Sequence, residues 1–287
     1  MFDYKKILKA FKIFLIFYIM VSFIFLTFFS GKELLVILKS VNILYFLLGI
    51  LNWGFFIVLD SLRVLILSRG LGKSLDIKTS VEFITSGSFL ALITPFGSGG
   101  LPYQIWLLNK FGFSIQETIA LVLTRGLCIF IPYLTFLPFT IKYISANFVR
   151  IFLIYAIVVA IGFLIFFILR KNYREKLRSI KLRFLIFAIV LSFPAQVVYL
   201  SFLFIVLKSL SVNIDYFSAF FRQLIMQIST YFQITPGGLG LSEAISSIII
   251  SENIDFAYIG ISIVLWRLFT GYLSGFLGFF FVIKRIK

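Results

Sequence analysis

Long apolar runs, punctuated by small clusters of charge and by glycine and proline, set the rhythm of this chain. Apolar stretches cover residues 11–29, 41–67, 77–94, 115–140, 151–169, 184–207, 216–234 and 256–283, with shorter helical pieces at 101–110 and 241–250. Several approach or exceed the roughly 18–20 residues that a helix needs to cross a hydrocarbon core. None shows the alternation of apolar and polar residues that a membrane β-strand requires. The pattern predicts an all-α polytopic membrane protein with about eight membrane segments, two of them broken, re-entrant helix pairs.

The two breaks are written almost alike. Residues 93–102 read ITPFGSGGLP and residues 234–243 read ITPGGLGLSE. Their surroundings match as well: Asp76 precedes Thr94 by 18 residues and Asp215 precedes Thr235 by 20, while Arg125 follows Thr94 by 31 and Arg267 follows Thr235 by 32. A shared flanking pattern is much harder to dismiss than a shared tripeptide, so the chain is read as an internal repeat. A single integral membrane domain, 1–287, then divides into a leading span (1–40), a first repeat (41–150), a connecting span with a basic linker (151–183) and a second repeat (184–287).

Composition agrees with that reading. The 287 residues are 61% hydrophobic and include 39 Phe, and the mean hydropathy is +1.09. A net charge of +16 would suggest a nucleic-acid partner in a soluble protein. Here the basic residues flank apolar runs, where they orient the chain and meet anionic headgroups, so no nucleic acid is expected. If each break is a hairpin that enters and leaves on one side, 19 of the 27 basic residues fall on one face, Arg63 among them. Six fall on the other, and Arg125 and Arg267 stay in the membrane. The positive-inside rule then puts both termini in the cytoplasm of a cell-membrane protein. The two hairpins enter from opposite faces, which makes the repeat inverted. The first apolar run is long and has no A-x-A-like cleavage site, so it is expected to be a span and not a signal peptide.

Candidate chemistry is narrow. There is no histidine, and Cys128 is the single cysteine, which excludes disulfide frameworks, most zinc sites and His-based general-base schemes. No cofactor, metal or enzymatic activity is expected. Pro95 and Pro236 stop helices, and the glycines after them loosen the backbone. A break at membrane depth is tolerated only where protein or a water-filled cavity satisfies its amides and carbonyls. The new helix after each break points its N-terminus inward, where an anion is favoured. A plain kink is the structural alternative. Arg125 and Arg267 each sit about ten residues into an apolar span. An Arg at the bilayer centre costs at least roughly 2.5–3.5 kcal/mol, so both must face the protein interior, water or an anion: Glu82, Glu117 and Glu243 are the candidate structural partners, and a passing phosphate is the functional one. The predicted headgroup-binding set is Thr94, Gly99, Gly100, Gln104 and Arg125 in the first half. In the second it is Thr235, Gly237, Gly238, Gly240, Glu243 and Arg267. Glu243 and Gln104 occupy comparable positions, so the halves are chemically unequal.

At TPFGSGGLPYQIWLL with TRGLC downstream, and TPGGLGLSEA with WRLFT downstream, the chain resembles a flippase-like family that includes the membrane region of lysylphosphatidylglycerol synthases. Leu101 departs from the polar residue expected there in many relatives. The resemblance covers nearly the whole chain and implies roughly eight spans with re-entrant pieces and movement of lipid between leaflets. In two-domain relatives a soluble C-terminal domain transfers an aminoacyl group from tRNA. This chain ends four residues past its last apolar run, so the synthase activity is not expected of it.

The leading functional expectation is translocation of an anionic phospho- or aminoacyl-lipid, with membrane phospholipid as partner. An ion-coupled small-solute carrier on the same architecture is one alternative. A non-transporting scaffold for a lipid- or glycan-modifying enzyme is another.

Overall fold

The computed structural model describes residues 3–143, 180–230, 235–252 and 254–286, and all regular structure among them is helical. The expected span at 151–169 and most of the basic linker lie outside the described residues. Helix α1 (Tyr4–Phe29) starts at Asp3, whose carboxylate accepts the Lys5 N–H at 2.9 Å. A short α2 (Leu34–Lys39), which the apolar pattern did not separate from its neighbours, leads into α3 (Ile43–Gly70). The first half continues with α4 (Ile77–Leu92), α5 (Gly100–Asn109) and α6 (Ile115–Thr140). In the second half, α7 (Leu182–Leu200) and α8 (Phe202–Ser209) form one apolar rod interrupted at Ser201. Then come α9 (Tyr216–Ser229), α10 (Leu241–Ser251), α11 (Phe256–Arg267), a π turn (Leu268–Tyr272) and α12 (Leu273–Ile286).

Five helical segments among the described residues are long and apolar enough to cross a membrane: Tyr4–Phe29, Ile43–Gly70, Ile115–Thr140, Leu182–Ser209 and Phe256–Ile286. Helix α4, with 16 residues, is about 24 Å long at 1.5 Å per residue, short of the ~30 Å hydrocarbon core. The sequence places α3–α4–α5–α6 and α7/α8–α9–α10–α11/α12 in the same order, and packing respects that order. Helix α4 packs on α12 as α9 packs on α6, and α3 packs on α6 as α8 packs on α11. Across the middle, α3 lies along α7.

Two ends of the bundle are set by named contacts. At the basic end, the Lys181 N–H donates to Gly70 O at 3.2 Å. Arg285 forks onto Glu82 at 2.7 and 2.9 Å, and Lys73 meets Glu117 at 2.6 Å. At the far end, the Asn42 N–H donates to Ser209 O at 2.7 Å, Ser30 Oγ donates to Ala257 O at 2.6 Å, and Arg222 meets Glu252 at 3.4 Å. The hairpin α4–α5 opens at the basic end, and Gln104 Nε2 donates across it to Phe83 O at 3.2 Å. The hairpin α9–α10 opens at the far end, where Arg222 Nη1 donates to Ile249 O at 2.6 Å.

Apolar side chains form two clusters, one built around α7–α11 and the other around α1, α3, α4 and α5. The α4–α12 seam is closed by Gly278, where a Cβ would collide with the Thr85 carbonyl. Gly278→Ala is therefore expected to cost about 1–3 kcal/mol through overpacking and to lower the melting temperature in detergent. Gly54→Ala, which meets nothing within 4 Å, serves as the control and should be neutral or slightly stabilising.

Candidate functional site

The two TP turns meet tip to tip between the halves. Each hairpin starts at an aspartate cap: Asp76 accepts the Thr79 N–H at 3.1 Å, and Asp215 accepts the Ser218 N–H at 3.0 Å. In the first turn Thr94 Oγ1 donates to Leu90 O at 2.6 Å and accepts the Gly99 N–H at 2.8 Å. In the second, Thr235 Oγ1 donates to Leu239 O at 2.7 Å. The threonines thus satisfy carbonyls and an amide that proline and the chain reversal would leave open. Gly237 has φ 64° and lies so near Leu92 and Phe14 that a Cβ would come within 3.1–3.2 Å of them. Its counterpart, Phe96, has φ 56° and is 73% exposed.

Both mid-span arginines have carboxylate partners. Arg267 Nε donates to Glu243 Oε1 at 2.8 Å, and its Nη2 donates to Gly237 O at 2.6 Å. Glu243 Oε2 in turn accepts the Gly240 N–H at 2.7 Å, so this one carboxylate caps α10 and neutralises the arginine. Arg267 also lies over the rings of Trp266 and Tyr272, 5.8 and 5.9 Å from their centroids.

In the first half the partner is Asp60. Arg125 Nε donates to Asp60 Oδ1 at 3.0 Å and its Nη2 donates to Oδ2, a bidentate fork. Arg63 Nη1 donates to the same Oδ1 at 3.0 Å. Asp60 and Arg63 are 0% exposed, whereas the Arg125 side chain keeps 22%. Arg63 was expected among the basic residues at one membrane face. It lies inside the bundle instead, because Asp60 one turn earlier on α3 gives it an interior partner. Glu82 and Glu117, the other candidate partners, pair with Arg285 and Lys73 at the basic end.

Depth follows from helix geometry. Asp60 lies ten residues before the basic end of α3, and Arg125 lies ten residues into α6 from that end. At 1.5 Å per residue both are about 15 Å deep. Arg267, eleven residues into α11 from the far end, lies at about 16 Å. The three therefore sit near the middle of a ~30 Å layer.

Beside Asp60 and Arg125 a cavity of about 220 Å3 opens between the halves. Its wall adds Ser88 from α4, Gln196 and Tyr199 from α7, Gln227 from α9, Thr270 from the π turn and Ser274 from α12. Tyr199 donates to Gln227 Oε1 at 2.7 Å, while Gln196 Oε1 has no partner among the described residues. Arg267 and Glu243 line a separate and much smaller pocket with Tyr18, Ser22 and Tyr272. The predicted binding residues are thus distributed over several places. Arg125 faces the central cavity and Arg267 with Glu243 the small pocket. Gln104 is buried against α4. Thr94, Gly99, Gly100, Thr235, Gly237, Gly238 and Gly240 build the two turns and the starts of α5 and α10. Asp60, Gln196 and Gln227 escaped the sequence reading, although an aspartate inside a 28-residue apolar helix is itself a signal.

A bundle of apolar helices with paired charges at mid-depth defines a polytopic α-helical membrane protein. Residues 10–278 match the model of the lysylphosphatidylglycerol synthase TM region, and the chain belongs to that family. It is similar to a "UPF0104 membrane protein" of Archaeoglobus fulgidus, 23% identical over 84% of this chain and 87% of that protein. No solved structure matches the chain.

Removing Arg267 strands a buried carboxylate. Arg267→Met is expected to cost about 3–5 kcal/mol, read as a lower melting temperature in detergent. The double variant Arg267→Met/Glu243→Gln should recover part of the loss, and simple additivity would show the pair to be uncoupled.

Proposed function

We propose that the protein is a lipid translocase of the cell membrane, moving an anionic phospho- or aminoacyl-lipid between leaflets. The observation that carries this reading is the polar cavity at mid-depth between the halves, into which a partly exposed Arg125 projects. A headgroup crossing hydrocarbon needs hydrogen-bonding partners at the depth where water is absent, and a cavity walled by guanidinium, amide and hydroxyl groups supplies them. The acyl chains stay in the bilayer while the headgroup passes between the halves. Arginine suits a phosphate because its fork matches two oxygens at once.

The same reading takes the architecture as an inverted repeat of about eight segments with two re-entrant hairpins. It is supported by hairpins that open at opposite ends, by tips that meet between the halves, and by an α4 too short to cross. Both termini are then cytoplasmic, at the basic end. Phospholipid is the partner, and a lipid-modifying enzyme that produces or consumes the lipid is a further candidate.

Reconstituted into vesicles, the protein should accelerate leaflet exchange of a fluorescent anionic phospholipid. Arg125→Ala should slow that exchange at least roughly tenfold, the factor that a loss of about 1.4 kcal/mol represents. Equal rates for the variant would sink the reading, and uptake of a soluble solute without lipid exchange would favour a solute carrier. For orientation, in a Cys128→Ser background, Ser74→Cys should react with an impermeant maleimide only from the cytoplasmic side. Ser40→Cys should react only from outside. Labelling of both from one side would overturn the topology.

A further inference from the structure

The groups around Asp60 do not balance. Two guanidiniums, Arg63 and Arg125, share one carboxylate, whereas Arg267 faces Glu243 one to one. Among the described residues, two guanidiniums thus divide one carboxylate at mid-depth, where guanidinium donors are costly to leave unsatisfied. The two arginines also hold Asp60 differently. Arg125 forks onto both oxygens and is partly open to the cavity. Arg63 is fully buried and donates only through Nη1; its Nε and Nη2 have no partner among the described residues.

We propose that Asp60 is a stand-in for the substrate's phosphate: a phosphodiester monoanion in the central cavity takes over the Arg125 fork, and Asp60 stays ionised on Arg63. This rests on the reading of the cavity as the headgroup path and adds a defined ligand class, a phosphodiester headgroup with a net charge of one negative and no compensating cation, together with a switch. Arg63 is three residues after Asp60 on the same helix, so it remains beside the carboxylate whatever Arg125 does. Its spare Nη2 can donate to Oδ2 when Arg125 lets go, which makes a fork of its own. Before the exchange the two guanidiniums share Asp60; afterwards Arg63 keeps the carboxylate and Arg125 holds the phosphate. Bond formation and loss are limited to hydrogen bonds, no proton moves, and α3 and α6 need not separate. Because the Arg125–Asp60 fork returns once the phosphate leaves, Asp60 competes with the cargo and keeps its binding weaker than a bare guanidinium would. That competition is what a carrier needs and what a pure binding protein does not.

The test uses the purified full-length protein in detergent, titrated calorimetrically with short-chain phosphatidylglycerol, short-chain phosphatidylcholine and inorganic phosphate. Saturable binding of the glycerol lipid is expected, with no net proton uptake when two buffers of different ionisation enthalpy are compared. Asp60→Asn removes the competitor, so it should bind this lipid at least ~10-fold more tightly while exchanging it more slowly in vesicles. Arg63→Met should bind with uptake of close to one proton, because the released carboxylate can then only be neutralised. Proton uptake by the wild type, or unchanged or weaker binding by Asp60→Asn, would overturn the switch. If Asp60→Asn does not fold, the proton count of the wild type decides alone. Phosphatidylcholine binding as tightly as the glycerol lipid would overturn the charge assignment, and inorganic phosphate doing so would overturn the lipid assignment. Leaflet exchange by a wild type that fails the proton test removes the switch and leaves the translocase standing. Binding as expected without any exchange removes the translocase and leaves the anion site.

Discussion

A guanidinium group halfway through a hydrocarbon layer is tolerable only with an anion against it. Arg125 and Arg267 are both in that position, and much of the bundle is organised around their partners. Asp60 ties α3 to α6 through Arg125. Glu243 ties α10 to α11 through Arg267 and still has an oxygen for the Gly240 amide. Each pair links two different elements of one half, so each half is cross-braced from within. The bland expectation, a structural ion pair, and the functional one, a phosphate contact, are not rivals at Arg125: its carboxylate partner and a phosphate would use the same fork.

The two breaks meet a second constraint of the same kind. Backbone groups freed by proline and by chain reversal cannot look to water inside a bilayer. Thr94 and Thr235 take up neighbouring carbonyls, Arg267 takes the Gly237 carbonyl, and glycine lets the tips approach. These bonds satisfy part of each turn from within, and the open polar surface lies in the cavity beside Arg125. This divides labour between conserving the break and receiving a ligand, which the anion-at-helix-terminus picture had assigned to the same atoms.

Much of this was legible in the chain because it rests on local pattern. The stretch 115–140 coincides with α6, the paired turns stand where their TP and glycine residues put them, and both arginines lie within long apolar helical segments. What stayed hidden depends on which helix lies beside which. Asp60 and Arg125 are 65 residues apart, and no periodicity brings α3 to α6. Arg63, read as an interfacial cation from its place near the end of an apolar run, is interior because of one neighbouring aspartate. The choice among Glu82, Glu117 and Glu243 as partners went by sequence proximity, and only Glu243 met it. Gln196 and Gln227 were passed over because a lone amide in an apolar run carries no motif; packing alone brings them to one wall.

The π turn at Leu268–Tyr272 has a geometric effect of its own. In an unbroken α-helix, residues 267, 270 and 274 stand at i, i+3 and i+7 and would share a single face. The wider turn, bonded i to i+5, inserts one residue into the count. Arg267 therefore looks toward Glu243 and α1, while Thr270 and Ser274 look into the central cavity. One polar stripe is split into two by a frameshift in the helix itself. That slip gives a single rod two compartments to serve, and it keeps the second guanidinium out of the first one's chamber.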